Sequence, residues 1–82
     1  MSEIRDITAE IPGTFYTRES PTTEPFVTVG GQVSAGDTVG LIEVMKMFNP
    51  VVSEVSGKVV EVCVEAEDPV DVGDVLIRVE EG

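Results

Sequence analysis

The chain has 82 residues, one cysteine and no histidine, and its 16 acidic and 5 basic side chains leave a net charge of −11. A chain of this length forms one small domain, here without an internal disulfide, and the lack of histidine excludes the usual general base and imidazole metal ligands. The five cations are scattered singly along the sequence, so neither nucleic acid nor an anionic membrane is an expected partner.

Cys63 lies in the apolar run KVVEVCVE, where its simplest interpretation is a small, buried hydrophobic side chain. A single cysteine fits a reducing compartment. The sequence has no apolar run that resembles a signal peptide or a membrane span. We therefore expect a cytoplasmic protein without a membrane partner.

The predicted elements are all β-strands. Residues 1–10 show no clean period, and we interpret residues 1–8 as a loose lead-in to a domain at 9–82. From Ile11 onward, valine is abundant, glycine and proline recur at short intervals, and apolar and polar residues alternate with a period near two. These signals predict eight strands, at 11–15, 26–29, 32–34, 38–45, 47–53, 58–64, 69–71 and 75–80.

An internal repeat predicts the architecture. GQVSAGDTVGLIEV at 31–44 aligns with DPVDVGDVLIRVEE at 68–81 at a constant offset of 37, which places Gly36-Asp37 on Gly73-Asp74. The repeated Gly-Asp predicts the same tight turn twice, because glycine adopts positive φ and aspartate bonds nearby amides. Two similar all-β halves predict a flattened barrel or sandwich with approximate two-fold symmetry. The halves meet at a hairpin around 45–47, which places Lys46 on an exposed turn.

The first half carries an insertion. PGTF at 12–15 matches SGKV at 56–59 at an offset of 44, so the first half has 7 extra residues before Val27. They lie in YTRESPTTEPF at 16–26, which is polar, contains two prolines and cannot continue a central strand. We expect a protruding finger, and the residues alone allow either a tolerated surface loop or a functional one.

The other residue clusters do not predict an active site. The carboxylates at 65–74 lack the ligand spacing of a calcium-binding loop. Gly30 and Gly31 are followed neither by a helix nor by Gly-Lys-Ser/Thr, so they do not predict a phosphate-binding loop. The hydroxyl side chains have no base beside them. We expect a protein that is not itself an enzyme and that holds no metal.

Lys46 lies between two methionines in EVMKMFN at 43–49. A lysine amine in water is protonated at neutral pH and reacts only when another enzyme deprotonates it. This domain would then supply presentation, on a hairpin tip whose flanking thioethers make flexible apolar contacts. The residues alone leave open an ordinary turn lysine and a presented one.

EVMKMFN resembles the Glu-Ala-Met-Lys-Met signature of biotinyl domains, in which biotin protein ligase attaches biotin to the lysine. The stretch at 12–49 resembles the biotin carboxyl carrier family of multi-subunit acetyl-CoA carboxylases, with its Gly-Thr-Phe-Tyr start, protruding thumb and Gly-Asp turn. SGKVVEV and DPVDVGDVLIRVEE continue the likeness, which covers roughly residues 9–81. One residue departs from the signature, since Val44 stands where the family usually has alanine.

The resemblance implies an all-β barrel-sandwich hybrid of two four-stranded halves, with biotin in amide linkage to Lys46. Glu43, Met45 and Met47 would flank the attachment site. The biotin would carry carboxyl groups from a biotin carboxylase to a carboxyltransferase that acts on an acyl-CoA, with acetyl-CoA as the expected acceptor. The implied thumb, which can contact biotin, comprises Thr17, Arg18, Glu19, Ser20, Pro21, Thr22, Thr23 and Glu24.

Two alternatives remain. A lipoyl domain has the same fold and displays its lysine on the same turn, but its family pattern is Asp-Lys-Ala, whereas methionines flank Lys46 here. An unmodified β-sandwich adaptor would need no special lysine. Modification of Lys46 separates the three hypotheses.

Overall fold

A computed structural model describes residues 3–81 as eight β-strands in two antiparallel sheets. The strands are β1 (Glu3–Thr8), β2 (Gly13–Tyr16), β3 (Gln32–Val33), β4 (Thr38–Val44), β5 (Met47–Val52), β6 (Gly57–Val62), β7 (Pro69–Val70) and β8 (Val75–Glu81). The strand orders are β1-β8-β6-β3 in one sheet and β5-β4-β2-β7 in the other. This part of the chain contains no helix, and thus none that could cross a membrane. The all-β prediction is confirmed.

The two sheets are copies of each other, as the repeat predicts. The offset of 37 places β3 on β7 and β4 on β8, and β4 and β8 share the same sequence of buried and half-buried positions. Each sheet takes two strands from residues 3–44 and two from residues 47–81, so the halves are interleaved. The flattened sandwich with pseudo-two-fold symmetry is therefore confirmed.

The two Gly-Asp turns have matching geometry. Gly36 has a φ of 96° and Gly73 a φ of 91°, values that suit glycine because other residues rarely adopt them. The carboxylates of Asp37 and Asp74 each accept a hydrogen bond from the amide three residues earlier, at 2.9 and 2.8 Å. The turn chemistry that the sequence predicts is present in both halves.

The core lies between the sheets and contains one aromatic ring, Phe15. A Cβ atom built on Gly40 would come within 2.5 Å of that ring, so Gly40 makes room for it. The repeat places Val59 at the position of Phe15 and Ile77 at that of Gly40. One half therefore has a large and a small residue at the two positions where the other half has two residues of medium size. The buried apolar residues are Ile7, Ala9, Phe15, Val33, Val39, Ile42, Val59, Val70, Leu76, Ile77 and Val79.

The predicted loose lead-in is wrong for Glu3–Thr8, which form β1 and pair with β8 along its length; residues 1 and 2 lie outside the described chain. β1 is an edge strand in which Ile7 alone is buried, so it shows no alternating pattern. The internal repeat does indicate this strand when the offset of 44 is continued upstream of Pro12. It places Ile7 on Val51 and Ile11 on Val55.

The strand predicted at 26–29 is also wrong. Gly31 donates its amide to the Thr28 carbonyl at 2.9 Å, which closes a turn there, and Gly30 has a φ of 91°. Pro25 before this segment and the two glycines after it limit its alternation to four residues, too few to extend a sheet. Val27 nevertheless packs against the core.

Cys63 is half-buried, so the prediction of a buried side chain is correct only in part. Its amide donates to the Leu76 carbonyl at 2.8 Å. Burial raises the pKa of the thiol, and the nearby Glu61 carboxylate raises it further. The thiol form is therefore favoured over the reactive thiolate.

Candidate functional site: the β4–β5 hairpin

A two-residue turn, Met45–Lys46, joins β4 to β5, and Val44 pairs with Met47 across it. The φ angles of Met45 and Lys46 are 52° and 68°. Positive φ at both central residues belongs to the type I′ turn, which favours Asn-Gly and matches the twist of the two strands. The predicted hairpin is confirmed, but two long side chains occupy positions that usually hold small residues.

Side chains from both strands hold the turn. The Lys46 backbone N–H donates to Oε2 of Glu43 at 3.0 Å. On the β5 side, the Asn49 side-chain amide donates to the carbonyl of Ile42 at 3.3 Å and to that of Met47 at 3.4 Å. The backbone on each side of Lys46 is thus tied by hydrogen bonds to the strands that carry it.

A third contact comes from β2, next to β4 in the sheet. The Tyr16 hydroxyl donates to Oε1 of Glu43 at 3.2 Å, and its ring meets that of Phe48 edge-on, with centroids 5.4 Å apart. Burial raises the pKa of Tyr16, and the hydrogen bond to Glu43 and the field of Glu67 raise it further. The hydroxyl therefore keeps the proton that it donates.

The turn presents an apolar tip around one amine. Met45, Met47 and Phe48 are 90%, 71% and 55% exposed. Lys46 is exposed, and none of the ion pairs within residues 3–81 involves it. An amine held in this way is accessible to another protein, and the methionines offer that protein flexible apolar contacts.

Val44, the residue before the turn, is half-buried and contacts the core. A Cβ atom built on Gly13 would lie 3.0 Å from Cγ2 of Val44, so this glycine leaves space for the branched side chain. Valine in place of the usual alanine therefore adds apolar side chain to the packing against the core.

The predicted thumb is a closed loop between β2 and β3. Arg18 forms a bridge with Pro25, and the Phe26 amide donates to the Thr17 carbonyl at 2.9 Å, which closes the base. At the tip, the Thr23 hydroxyl donates to the Ser20 carbonyl at 2.9 Å. The loop is ordered by its own polar groups. No hydrogen bond or ion pair in the described chain joins residues 17–24 to residues 45–47.

Sequence reasoning assigned Glu43 to the site through the motif, but it assigned no role to Tyr16 or Phe48. Both reach the site only as cross-strand neighbours, Tyr16 by its hydrogen bond to Glu43 and Phe48 by its ring contact with Tyr16. The register that pairs Tyr16 with Leu41, two residues from Glu43, places the hydroxyl near the carboxylate. The two residues are 27 positions apart in the chain, and only the strand order reveals their contact.

Known proteins share this sequence and fold. The family model described as biotin-requiring enzyme matches residues 5–79. The biotin carboxyl carrier proteins of acetyl-CoA carboxylase from Pyropia yezoensis and Pseudomonas aeruginosa are 39% and 42% identical to this chain, over 96% and 82% of its length. The chain spans 50% and 43% of those proteins, about half of each.

A solved structure supports the same assignment. The crystal structure of the Kluyveromyces lactis urea carboxylase superposes with a TM-score of 0.78 at 31% identity, over 94% of this chain and 6% of that one. The predicted resemblance and the predicted fold are both confirmed. This chain belongs to the biotin–lipoyl family of biotin-requiring enzymes.

Proposed function

We propose that this chain is a biotin carboxyl carrier, with biotin in amide linkage to Nζ of Lys46. The observation that carries the proposal is Lys46 at the tip of a type I′ hairpin, in a member of this family. Lys46 is exposed between two exposed methionines and forms no ion pair within residues 3–81. An amide linkage needs an accessible primary amine with open space around it, and Lys46 fits that requirement. Once attached, biotin supplies the atom that holds the carboxyl group.

The residues of this chain present and orient the amine, and they perform no bond chemistry. Glu43 and Asn49 hold the turn, so Lys46 projects from a defined point instead of a mobile loop. A tethered carrier raises the effective concentration of the carried group at its target. Catalysis then belongs to the partners, and this chain is a non-catalytic carrier.

The proposed partners are a biotin protein ligase, a biotin carboxylase and a carboxyltransferase of an acyl-CoA carboxylase, with acetyl-CoA as the acceptor. Similarity to biotin carboxyl carrier proteins of acetyl-CoA carboxylase supports the carboxylase partners and the acetyl-CoA acceptor. We also propose that the carrier domain is residues 9–82, extended by β1, and that the thumb at residues 17–24 contacts the attached biotin. The cytoplasmic location remains a prediction.

The test is modification of the folded protein in the presence of a purified biotin protein ligase, biotin and ATP. Intact-mass analysis should show the gain of one biotinyl group in the wild type and no gain in Lys46→Arg. The chain offers a matched control, because its other lysine, Lys58, is also exposed and lies on β6. Lys58→Arg should gain biotin as the wild type does.

Two results would contradict the proposal: an unmodified wild type, or equal gains in wild type and Lys46→Arg. A parallel reaction with a lipoate ligase tests the alternative. Lipoylation of Lys46 without biotinylation would assign the chain to the lipoyl carriers. The absence of either modification would favour the adaptor.

A further inference from the structure

One carboxylate links a neighbouring strand to the backbone of the turn. The Tyr16 hydroxyl donates to Oε1 of Glu43 at 3.2 Å, and Oε2 of Glu43 accepts from the Lys46 N–H at 3.0 Å. Each carboxylate oxygen of Glu43 therefore accepts one hydrogen bond, Oε1 from β2 and Oε2 from the turn. Met45 and Lys46 hold φ angles that residues other than glycine rarely adopt, so the turn depends on support from its surroundings.

The Tyr16 hydroxyl is not a requirement of the fold. The offset of 44 places Val60 at the position of Tyr16 in the other half, but a register shift between Val59 and Glu61 puts Glu61 opposite Arg78, the equivalent of Leu41. Neither Val60 nor Glu61 has a hydroxyl, and the sheet forms there without one. Within residues 3–81, the equivalent place in that half is formed by the ends of two separate strands, β8 and β1, with no turn between them. The hydroxyl thus occurs in the half that carries the hairpin.

The position of the hydroxyl is fixed by the ring that bears it. The ring is half-buried and meets Phe48 edge-on, 5.4 Å between centroids. Aromatic pairs of this geometry are favourable beyond the area that they bury. Replacement of Tyr16 by phenylalanine keeps the ring contact and removes the donor alone.

We propose that Tyr16 is a positioning residue for the reaction of Lys46 and acts through Glu43. By donating to one oxygen, it holds the carboxylate in the orientation in which the other oxygen accepts the Lys46 amide, and so keeps the turn in the shape that the modifying enzyme binds. Tyr16 does not touch the reacting amine. The inference rests on the proposed function insofar as the reaction is the attachment of biotin.

The consequence is a specific kinetic signature. Without the hydroxyl, the Glu43 side chain is free to rotate toward water, and the turn spends less time in the binding shape. When only a fraction of a protein is competent, the apparent dissociation constant rises by the inverse of that fraction. The net contribution of a typical hydrogen bond corresponds to a change of about two- to tenfold in an equilibrium constant. We expect Tyr16→Phe to raise the KM of the ligase for this protein about three- to tenfold, with kcat within about twofold of the wild type.

The matched control is Thr14→Val. Thr14 is the direct cross-strand partner of Glu43 on the same strand as Tyr16, and the substitution removes a hydroxyl at nearly constant shape. It should leave KM unchanged. Glu43→Gln removes one acceptor oxygen and should raise KM at least as far as Tyr16→Phe. If Tyr16 acts through Glu43, the double variant Tyr16→Phe/Glu43→Gln should match Glu43→Gln alone, since coupled residues are not additive.

An enzyme-free measurement separates this inference from the proposed function. Hydrogen exchange of the Lys46 amide, followed by NMR, should accelerate about three- to tenfold in Tyr16→Phe and stay unchanged in Thr14→Val. The amide of Val79 in the core should keep its protection in both, which excludes general destabilisation. A wild type that accepts no biotin would overturn the proposed function, and the exchange rates would still decide the role of Tyr16.

Unchanged Lys46 exchange and unchanged KM in Tyr16→Phe would overturn the inference. So would a double variant in which the two effects simply multiply, because Tyr16 would then act independently of Glu43.

Discussion

The turn between β4 and β5 and the place where β8 meets β1 are equivalent positions in the two halves. Val44 pairs with Met47 at the first, and Glu81 pairs with Glu3 at the second. Met45 and Lys46 connect β4 to β5 in one half, while the equivalent strands of the other half, β8 and β1, pair without such a connection. The sheet forms in both, so the fold does not require the Met45–Lys46 connection for its pairing. Departures from local preference that the fold does not require occur most often at functional sites.

The outer faces of the two sheets also differ. One row crosses three strands of the hairpin sheet with Pro50, Leu41 and Tyr16. The equivalent row of the other sheet has Asp6, Arg78 and Glu61, in which the Arg78 guanidinium donates to Asp6 at 3.2 Å and to Glu61 at 2.8 Å. The same backbone supports an apolar row near Lys46 and an ion-paired row away from it. The side chains of such an outward-facing row can therefore differ in chemical character between the two halves, whereas the equivalent buried positions of the strands differ only in size.

The largest expected effect is a loss of stability on changing the two core positions at which the halves differ. Gly40→Ile places a side chain where a Cβ atom already comes within 2.5 Å of the Phe15 ring, and we expect a loss of about 3 kcal/mol or more in the free energy of unfolding. Phe15→Val leaves a cavity and should cost about 3 kcal/mol. The double variant copies the Val59 and Ile77 pair of the other half, and it should recover more than half of the summed loss. Urea denaturation of the three variants measures these values.

Additive losses in the double variant would show that the two halves pack their equivalent positions in unrelated ways. The control is Thr14→Val, which changes a half-buried surface position and should keep a free energy of unfolding close to that of the wild type.

A smaller effect, an increase in the free energy of unfolding, is expected when the turn residues are changed. Met45→Asn with Lys46→Gly installs the residue pair that type I′ turns prefer, because these residues adopt positive φ at low cost. We expect a gain of about 1 kcal/mol in the free energy of unfolding, measured by urea denaturation, together with complete loss of biotin attachment. A less stable variant would indicate that the methionine and the lysine stabilise the turn in ways that the backbone does not reveal.

The smallest effect is a shift in titration. The chain has one tyrosine and no tryptophan, so its ultraviolet absorbance reports Tyr16 alone. We expect the folded protein to titrate above the ordinary value of 10.0, because burial, Glu43 and Glu67 all raise the pKa of Tyr16. Since the folded value is raised, the stabilisation is fully present below the unfolded pKa and is lost as pH rises through the folded pKa. Glu43→Gln should move the midpoint back down, and an unchanged midpoint would contradict the contact.

Much of the fold is readable from the sequence. The Gly-Asp turns follow from neighbouring residues, while the hairpin and the inserted loop follow from the internal repeat at offsets of 37 and 44. The strand β1 was missed because an edge strand exposed on most sides carries no periodic pattern. The false strand at 26–29 arose because four alternating residues satisfy the pattern while the glycines after them form a turn. At the site, the motif identified Lys46, Glu43 and the methionines, whereas Tyr16 depends on strand order, which no local pattern encodes.

The pairing of β1 with β8 has a consequence for how the protein is made. These are the first and last strands of the described chain, and their register spans Glu3 to Glu81. Contacts so distant in sequence close late and slowly, because the loop entropy is lost before the pairing compensates for it. On the ribosome, the sandwich cannot close until Val75–Glu81 has left the exit tunnel. An enzyme that recognises the closed domain therefore acts only after β8 has emerged and paired with β1.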